Sequence, residues 1–227
     1  ADAGIRDAQE SRGLGDVYKR QHLSFEEAAA FPLTAQTAYG MLVRRAKIET
    51  GETVFVWGAG SGVGTMAIQI AKAKGCRVIT TGGSEEKRVH AEGLGADLVL
   101  DHYNDDIIYS VKDYTEKQGV DVVFEHVGEF TWNTSMRIFG KGGRLVTCGA
   151  TTGPKASFDI RYLFSKQLSV LGSTMGDVAA FDDCVTLVAD RKIKPVVDRS
   201  FDLSEIKEAH THLENGNQIG KVILKPS

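Results

Sequence analysis

The stretch from Thr53 to Lys74, TVFVWGAGSGVGTMAIQIAKAK, holds the residues best suited to bind a reactive small molecule. An apolar run (Val54, Phe55, Val56, Trp57) enters a glycine cluster (Gly58, Gly60, Gly62, Gly64), and an amphipathic helix follows with Val63, Ala67, Ile70 and Ala71 on one face. The order is strand, tight turn, helix. Glycines let a backbone turn sharply and approach a ligand closely, and free N–H groups at a helix start favour an anion such as a pyrophosphate. Against the G-x-G-x-x-G pattern, Ala59 to Gly64 read A-G-S-G-V-G, with Ala and Ser in the first two glycine places. The turn suits a dinucleotide; taken alone, it equally suits a plain tight connection.

Other reactive side chains are fewer. Cys76, Cys148 and Cys184 are odd in number and widely spaced, which fits reduced thiols in a cytoplasm and neither a disulfide nor a zinc framework. His210 and His212 stand two apart on a predicted helix, so they point to different faces and read as surface residues. His126 ends a predicted strand, where it either lines a ligand groove or makes an ordinary hydrogen bond.

The elements that must position these residues alternate regularly. After two short helices within His22 to Val43, strands are predicted at Val54–Trp57, Arg77–Thr81, Asp97–Leu100, Val120–Glu125, Arg144–Cys148 and Leu168–Leu171. Helices fall between them, including Ser84–Gly93, Asp106–Lys117 and Thr131–Phe139. Such alternation means βαβ units and an α/β, doubly wound parallel sheet with its ligand crevice at the strand carboxyl ends. From Asp177 the pattern changes to a helix, an extended piece past Pro195, a helix opened by Ser204 and a final strand, Lys221–Leu224.

The 227 residues are 42% hydrophobic and 25% charged with a net charge of −3, the composition of a globular chain bearing no basic stripe for nucleic acid and no membrane-length apolar run. A small-molecule partner is therefore expected. Residues 1–21 are polar and aperiodic, and DVYKRQ at Asp16–Gln21 resembles a translated sequencing-adapter end; the segment reads as a non-native or disordered leader.

Several stretches together resemble the medium-chain dehydrogenase/reductase superfamily, in the branch of the quinone oxidoreductases and zinc-binding dehydrogenases. They are LSFEEAAAFPLTAQTAYGML, GAGSGVGTMAIQIAKAKGCRVI, LGAD, GVDVVFEHVG, GGRLVTCGATTG, LSVLGSTMG and GKVIL, in family order from Leu23 to Leu224. The resemblance implies a hinge at 22–45, a Rossmann-like NAD(P)-binding domain at 46–193, and a return at 194–227 to a GroES-like catalytic domain that precedes the Rossmann-like one in the family. The segment alone is then expected to be inactive, with its catalytic residues elsewhere. The resemblance further implies a homodimer through the sheet edge at Leu168–Leu171.

By the same resemblance, the pyrophosphate lies over Ser61, Gly62, Val63 and Gly64, with Lys221 supplying positive charge. Thr37 reaches the nicotinamide side, and Cys148, Gly172 and Thr174 frame the carboxamide. Cofactor choice is read at the end of strand two, where NAD-selecting sites carry an acid for the ribose 2′-hydroxyl. Here Thr81 is followed by Gly82, Gly83 and Ser84, so Ser84, Lys87 and Arg88 are expected to hold a 2′-phosphate, favouring NADP(H) over NAD(H). Zinc-dependent relatives take a ligand at the place of Leu33, and an alkyl chain cannot bind zinc, so no catalytic zinc is expected. The expected activity is hydride transfer to a quinone, enoyl thioester or α,β-unsaturated carbonyl. Alternatives are an NAD(P)-dependent alcohol dehydrogenase, a non-catalytic dinucleotide-binding protein, and a methyltransferase, against which Gly82 argues.

Overall fold

The computed structural model of the protein describes residues 23–226; the leader expected at 1–21 lies outside them. Six strands form the central sheet: β1 (Thr53–Val56), β2 (Arg77–Thr81), β3 (Leu98–Leu100), β4 (Val120–Glu125), β5 (Phe139–Thr147) and β6 (Ser169–Gly172). They lie in the order β3-β2-β1-β4-β5-β6, every pair parallel. The order reverses between β1 and β4, and a crevice outside the carboxyl ends of the strands at such a switch point is where open α/β sheets take their ligands. The expected Rossmann-like sheet is the one observed.

Before β1 come α1 (Phe25–Ala30), α2 (Pro32–Tyr39) and a π-helical segment, Gly40–Arg45. A capping box starts α1: Ser24 Oγ accepts from the Glu27 amide at 3.1 Å while the Glu27 carboxylate accepts from the Ser24 amide at 2.9 Å. Pro32 opens α2 at a position that needs no amide donor. The crossovers are α3 (Gly62–Ala73), α4 (Glu85–Gly93), α5 (Ile107–Tyr114), α6 (Glu129–Ile138) and α7 (Ile160–Ser165), and α8 (Val178–Ala189) follows the sheet.

Because successive strand residues face opposite sides, the sheet builds two cores. Val54, Val56, Val122 and Phe124 pack against Met41, Leu42, Met66, Ile70 and Val185. Phe55, Val123 and Leu145 pack on the other side against Ile107, Val111, Met136 and Ile138. Helix α3 is buried well beyond the expected stripe, since Met66 and Ile68 are also enclosed. The helical segment before β1 covers one face and α8 packs beside it, with Phe31 and Phe181 stacked at 6.2 Å.

Three boundaries depart from expectation for local reasons. Helix α5 stops at Tyr114 because Glu116 and Lys117 take φ of 50° and 67°, left-handed values that end a helix. Helix α6 starts earlier, at Glu129 after Gly128, and Phe139 already belongs to β5. The C-terminal helix is preceded by a 3₁₀ turn, Leu203–Glu205, whose cap is Asp202 in a capping box with Glu205, so Ser204 does not open it. Beyond that turn run α9 (Ile206–Glu214) and β8 (Lys221–Lys225), the latter parallel to β7 (Val197–Asp202) in a separate two-stranded sheet.

This C-terminal segment is seated on the glycine turn. The Gly220 amide donates to Gly60 O at 2.9 Å, and Ser61 and Gly220 form a parallel bridge. Gln69 exchanges two bonds with the Lys194 backbone, at 2.7 and 3.0 Å, and Lys225 pairs with Glu26 at 2.6 Å.

Candidate functional site

Ser61 is the N-cap of α3 and organises the turn. Its Oγ accepts from the Gly64 amide at 2.9 Å and donates to Gly58 O at 2.9 Å. Glycine is required at position 64, where a Cβ would run into the Gly58 carbonyl oxygen. His126 braces the turn from below: its Nε2 lies 2.9 Å from Trp57 O, a pure acceptor, so Nε2 carries the proton. Burial holds this imidazole's pKa below its usual range, which keeps it neutral and makes it an ordinary hydrogen-bonded histidine. Val63 sits in the first turn of α3, where helix amides lack intrahelical acceptors.

Lys221 arrives from β8 and lays its stem across Gly62; a Cβ there would come within 2.7 Å of Lys221 Cδ. Its ammonium makes no hydrogen bond or ion pair among the described residues. The Lys87 stem crosses Gly60 in the same way, and its ammonium donates to Gly216 O. Two cationic chains thus flank the start of α3, one engaged and one without a partner among the described residues.

At the carboxyl end of β2, Ser84 caps α4, its Oγ 3.4 Å from the Lys87 amide. Arg88 occupies the space beside Gly82, and its Nη1 reaches Gly82 O at 3.3 Å and Asp101 Oδ2 at 2.6 Å. Its Nη2 contacts Glu85 at 2.7 Å. Asp101, just past β3, is not marked by the sequence, because its partner Arg88 lies on another element. His102 and Tyr103 pack over Gly83. With Trp57, Gly58, Val127 and Phe130 they line a cavity of about 200 Å³.

On the far side of the switch point, Thr37 is buried and its Oγ1 donates to Leu33 O at 2.6 Å, leaving it only acceptor capacity. Cys148 follows β5, with its amide bonded to Glu125 O at 3.2 Å and its thiol pushed up to about 11, chiefly by burial. Gly172 ends β6, and its carbonyl accepts from Arg45 Nε at 2.8 Å. It shares an open cleft with Thr174, Gly40 and Arg45. Gly172 and Thr174 are therefore brought together, while Ser84 and Lys87 lie at the opposite end of the crevice.

Glu125 escaped sequence reasoning. Its side chain is fully buried, and Oε1 accepts from the amides of Val127 (2.7 Å) and Gly128 (3.1 Å). Oε2 accepts from Thr131 Oγ1 (2.8 Å) and Ser135 Oγ (3.0 Å), and Ser135 Oγ accepts from Trp57 Nε1 at 2.8 Å. The carboxylate is satisfied by four neutral donors and shapes the turn after β4. His212, expected at the surface, instead bonds Asp198 at 2.7 Å and ties α9 to β7, while His210 is exposed.

Leu33 is 55% exposed and carries no donor atom, and among the described residues no three His, Cys, Asp or Glu side chains gather as ligands. No described helix is long and apolar enough to cross a membrane.

This fold and glycine turn define a dinucleotide-type α/β protein. The family profile described as zinc-binding dehydrogenase matches residues 62–190. A crotonyl-CoA reductase of Streptomyces avermitilis is 32% identical over 231 residues, covering 92% of this chain and 52% of that protein. A crystal structure of an NAD-dependent alcohol dehydrogenase superposes with TM-score 0.87 and 40% identity over 90% of this chain and 60% of its own. A 2-octenoyl-CoA carboxylase reductase in complex with NADP and 2-octenoyl-CoA superposes with TM-score 0.83 and 32% identity, covering 91% and 51%. The chain belongs to the zinc-binding dehydrogenase family, within the medium-chain dehydrogenase/reductase superfamily. It spans about half the length of the curated relatives it matches.

Proposed function

We propose that this chain is the cofactor-binding portion of an NADPH-dependent reductase that passes hydride to an activated double bond, an enoyl thioester before an α,β-unsaturated carbonyl or quinone. The observation that carries the reading is Lys221, whose stem lies across Gly62 at the start of α3 and whose ammonium has no partner among the described residues. A pyrophosphate there meets the helix amides, the Ser61-capped turn and the Lys221 cation. The nicotinamide cofactor, when bound, supplies the hydride; the chain binds and orients it.

In this reading the first turn, Ser61 to Gly64, and Lys221 hold the pyrophosphate. Ser84 and Lys87 serve the adenosine end, with the absence of an acid at Gly82 favouring NADP(H). Thr37, Cys148, Gly172 and Thr174 frame the nicotinamide, and no zinc takes part. The enoyl thioester is favoured because relatives named for acyl-CoA reduction are among those sharing the fold and about a third of the residues. An NAD-dependent alcohol dehydrogenase is the second reading, supported by the 40% identical structure and weakened by Leu33. The proposed organisation is a hinge at 22–45, a nucleotide domain at 46–193 and a C-terminal return at 194–227. A second copy is proposed to pair along β6, whose Val170 is 42% exposed at the sheet edge.

Lys221→Met tests the central claim by titrating NADPH into both proteins. Loss of one partly exposed charge-assisted contact costs about 1.5–3 kcal/mol, an affinity drop of roughly ten- to a hundredfold. Unchanged affinity removes the pyrophosphate from Gly62.

A further inference from the structure

Arg88 is held by two carboxylates of opposite character. Asp101 is 15% exposed in its side chain, and besides Arg88 it accepts from the Tyr103 amide at 2.9 Å and Asn104 Nδ2 at 3.0 Å. Glu85 is 79% exposed and touches Arg88 Nη2 alone, at 2.7 Å. The first contact is built into the turn after β3. The second is a rim pair of a kind that contributes little to stability and exchanges readily.

The Arg88 stem and backbone stand where a side chain at the end of β2 would be, a Cβ on Gly82 lying 3.0 Å from Arg88 Cγ and 3.1 Å from the Arg88 amide nitrogen, and the guanidinium is tethered there by Nη1 to Gly82 O at 3.3 Å. It is thus fixed at the strand end that meets the adenosine ribose in dinucleotide sheets. Nη1 is taken by Asp101 and Gly82 O, so an incoming anion is received on the edge made by Nη2 and Nε, where Glu85 now holds Nη2. A planar guanidinium offers that side as a fork suited to carboxylate and phosphate alike. Lys87 does not compete for the place, because its ammonium is bonded to Gly216 O.

We propose that Glu85 occupies on Arg88 the place of the cofactor's 2′-phosphate, so that a carboxylate of the chain competes with the phosphate and sets how strongly the site prefers it. Asp101 acts as the positioning residue that keeps Arg88 at Gly82 while Glu85 leaves. This inference rests on the dinucleotide reading of the site.

Adenosine 5′-monophosphate and adenosine 2′,5′-bisphosphate differ only in the 2′-phosphate and are titrated calorimetrically into the 227-residue chain and its variants. Removing an exposed competing charge, as in Glu85→Gln, is expected to tighten the bisphosphate about three- to fivefold with the monophosphate unchanged. Glu86→Gln removes the same charge one residue on and should leave the ratio of affinities alone. Arg88→Met should bring the bisphosphate to the affinity of the monophosphate. An unchanged ratio in Glu85→Gln, or the same gain in Glu86→Gln, overturns the inference while leaving the dinucleotide reading intact. Binding of neither nucleotide to the unaltered chain overturns that reading and the inference together.

Discussion

Replacing Glu125 by alanine should remove most of the stability of the sheet's central layer. The side chain is fully enclosed, and its loss strands the Val127 and Gly128 amides without their acceptor. Each orphaned buried donor costs about 1–3 kcal/mol. Ser135 also loses its acceptor, whereas Thr131 retains Gly128 O at 3.2 Å. The sum over the three donors is about 3–9 kcal/mol, set against a typical margin of about 5–15 kcal/mol. Glu125→Gln keeps the shape and one oxygen for the two amides; only the two hydroxyls must turn, at a cost of about 1–2 kcal/mol. Urea unfolding followed by fluorescence is well placed to measure this, because Trp57 bonds Ser135 at 2.8 Å. A loss below about 1 kcal/mol in Glu125→Ala, or a glutamine variant no better than the alanine one, would refute the claim that this network holds the turn.

Gly82→Asp should shift preference from NADPH towards NADH, since a like charge about 4 Å from a phosphate is worth roughly 1–4 kcal/mol depending on the dielectric; parallel titrations that find the same preference exclude Gly82 from the selection. Val170→Pro should abolish a dimer seen by light scattering without unfolding the monomer. The Ser173 amide bonds Thr147 O at 2.9 Å, so the alternation of the parallel ladder turns the Val170 amide outward, to the edge. A persistent dimer puts the interface elsewhere. Burial holds His90, His102 and His126 below the ordinary value of 6.5. The unfolded chain then binds protons that the native one refuses, so stability is full above about 6.5 and falls as pH drops below it. Equal urea midpoints at pH 7.5 and 5.5 would contradict this.

What was legible in the sequence was local. The strand-turn-helix at Gly58 to Gly64 and the βαβ alternation depend on neighbours within a few residues, so their pattern survives in one dimension. The Ser24 cap was legible for the same reason. What was not legible depends on partners far along the chain. Glu125 looks like any acid ending a strand until Thr131 and Ser135 of α6 are folded onto it. Nothing local marks Gly40–Arg45 as a π-helix, since its residues suit an ordinary one; its Arg45 reaches Gly172 on β6. His212 reads as surface because Asp198 lies on another element. At the end of β2, the sequence marks Gly82 as open, yet the space is filled by Arg88, which Asp101 holds from just past the next strand.

The bond from the Gly220 amide to Gly60 O joins residues 160 positions apart, and it is made at the loop that would receive the phosphates. Contacts of such sequence separation form late, after their loop-closure entropy has been offset by other structure. During synthesis the strands and helices through α8 can therefore emerge and pack while the glycine turn is still open on one side. Closure waits for the segment that carries both Gly220 and Lys221 to leave the ribosome. Any substitution that slows the pairing of β7 with β8 should accordingly delay the appearance of a competent nucleotide site well behind the appearance of native secondary structure.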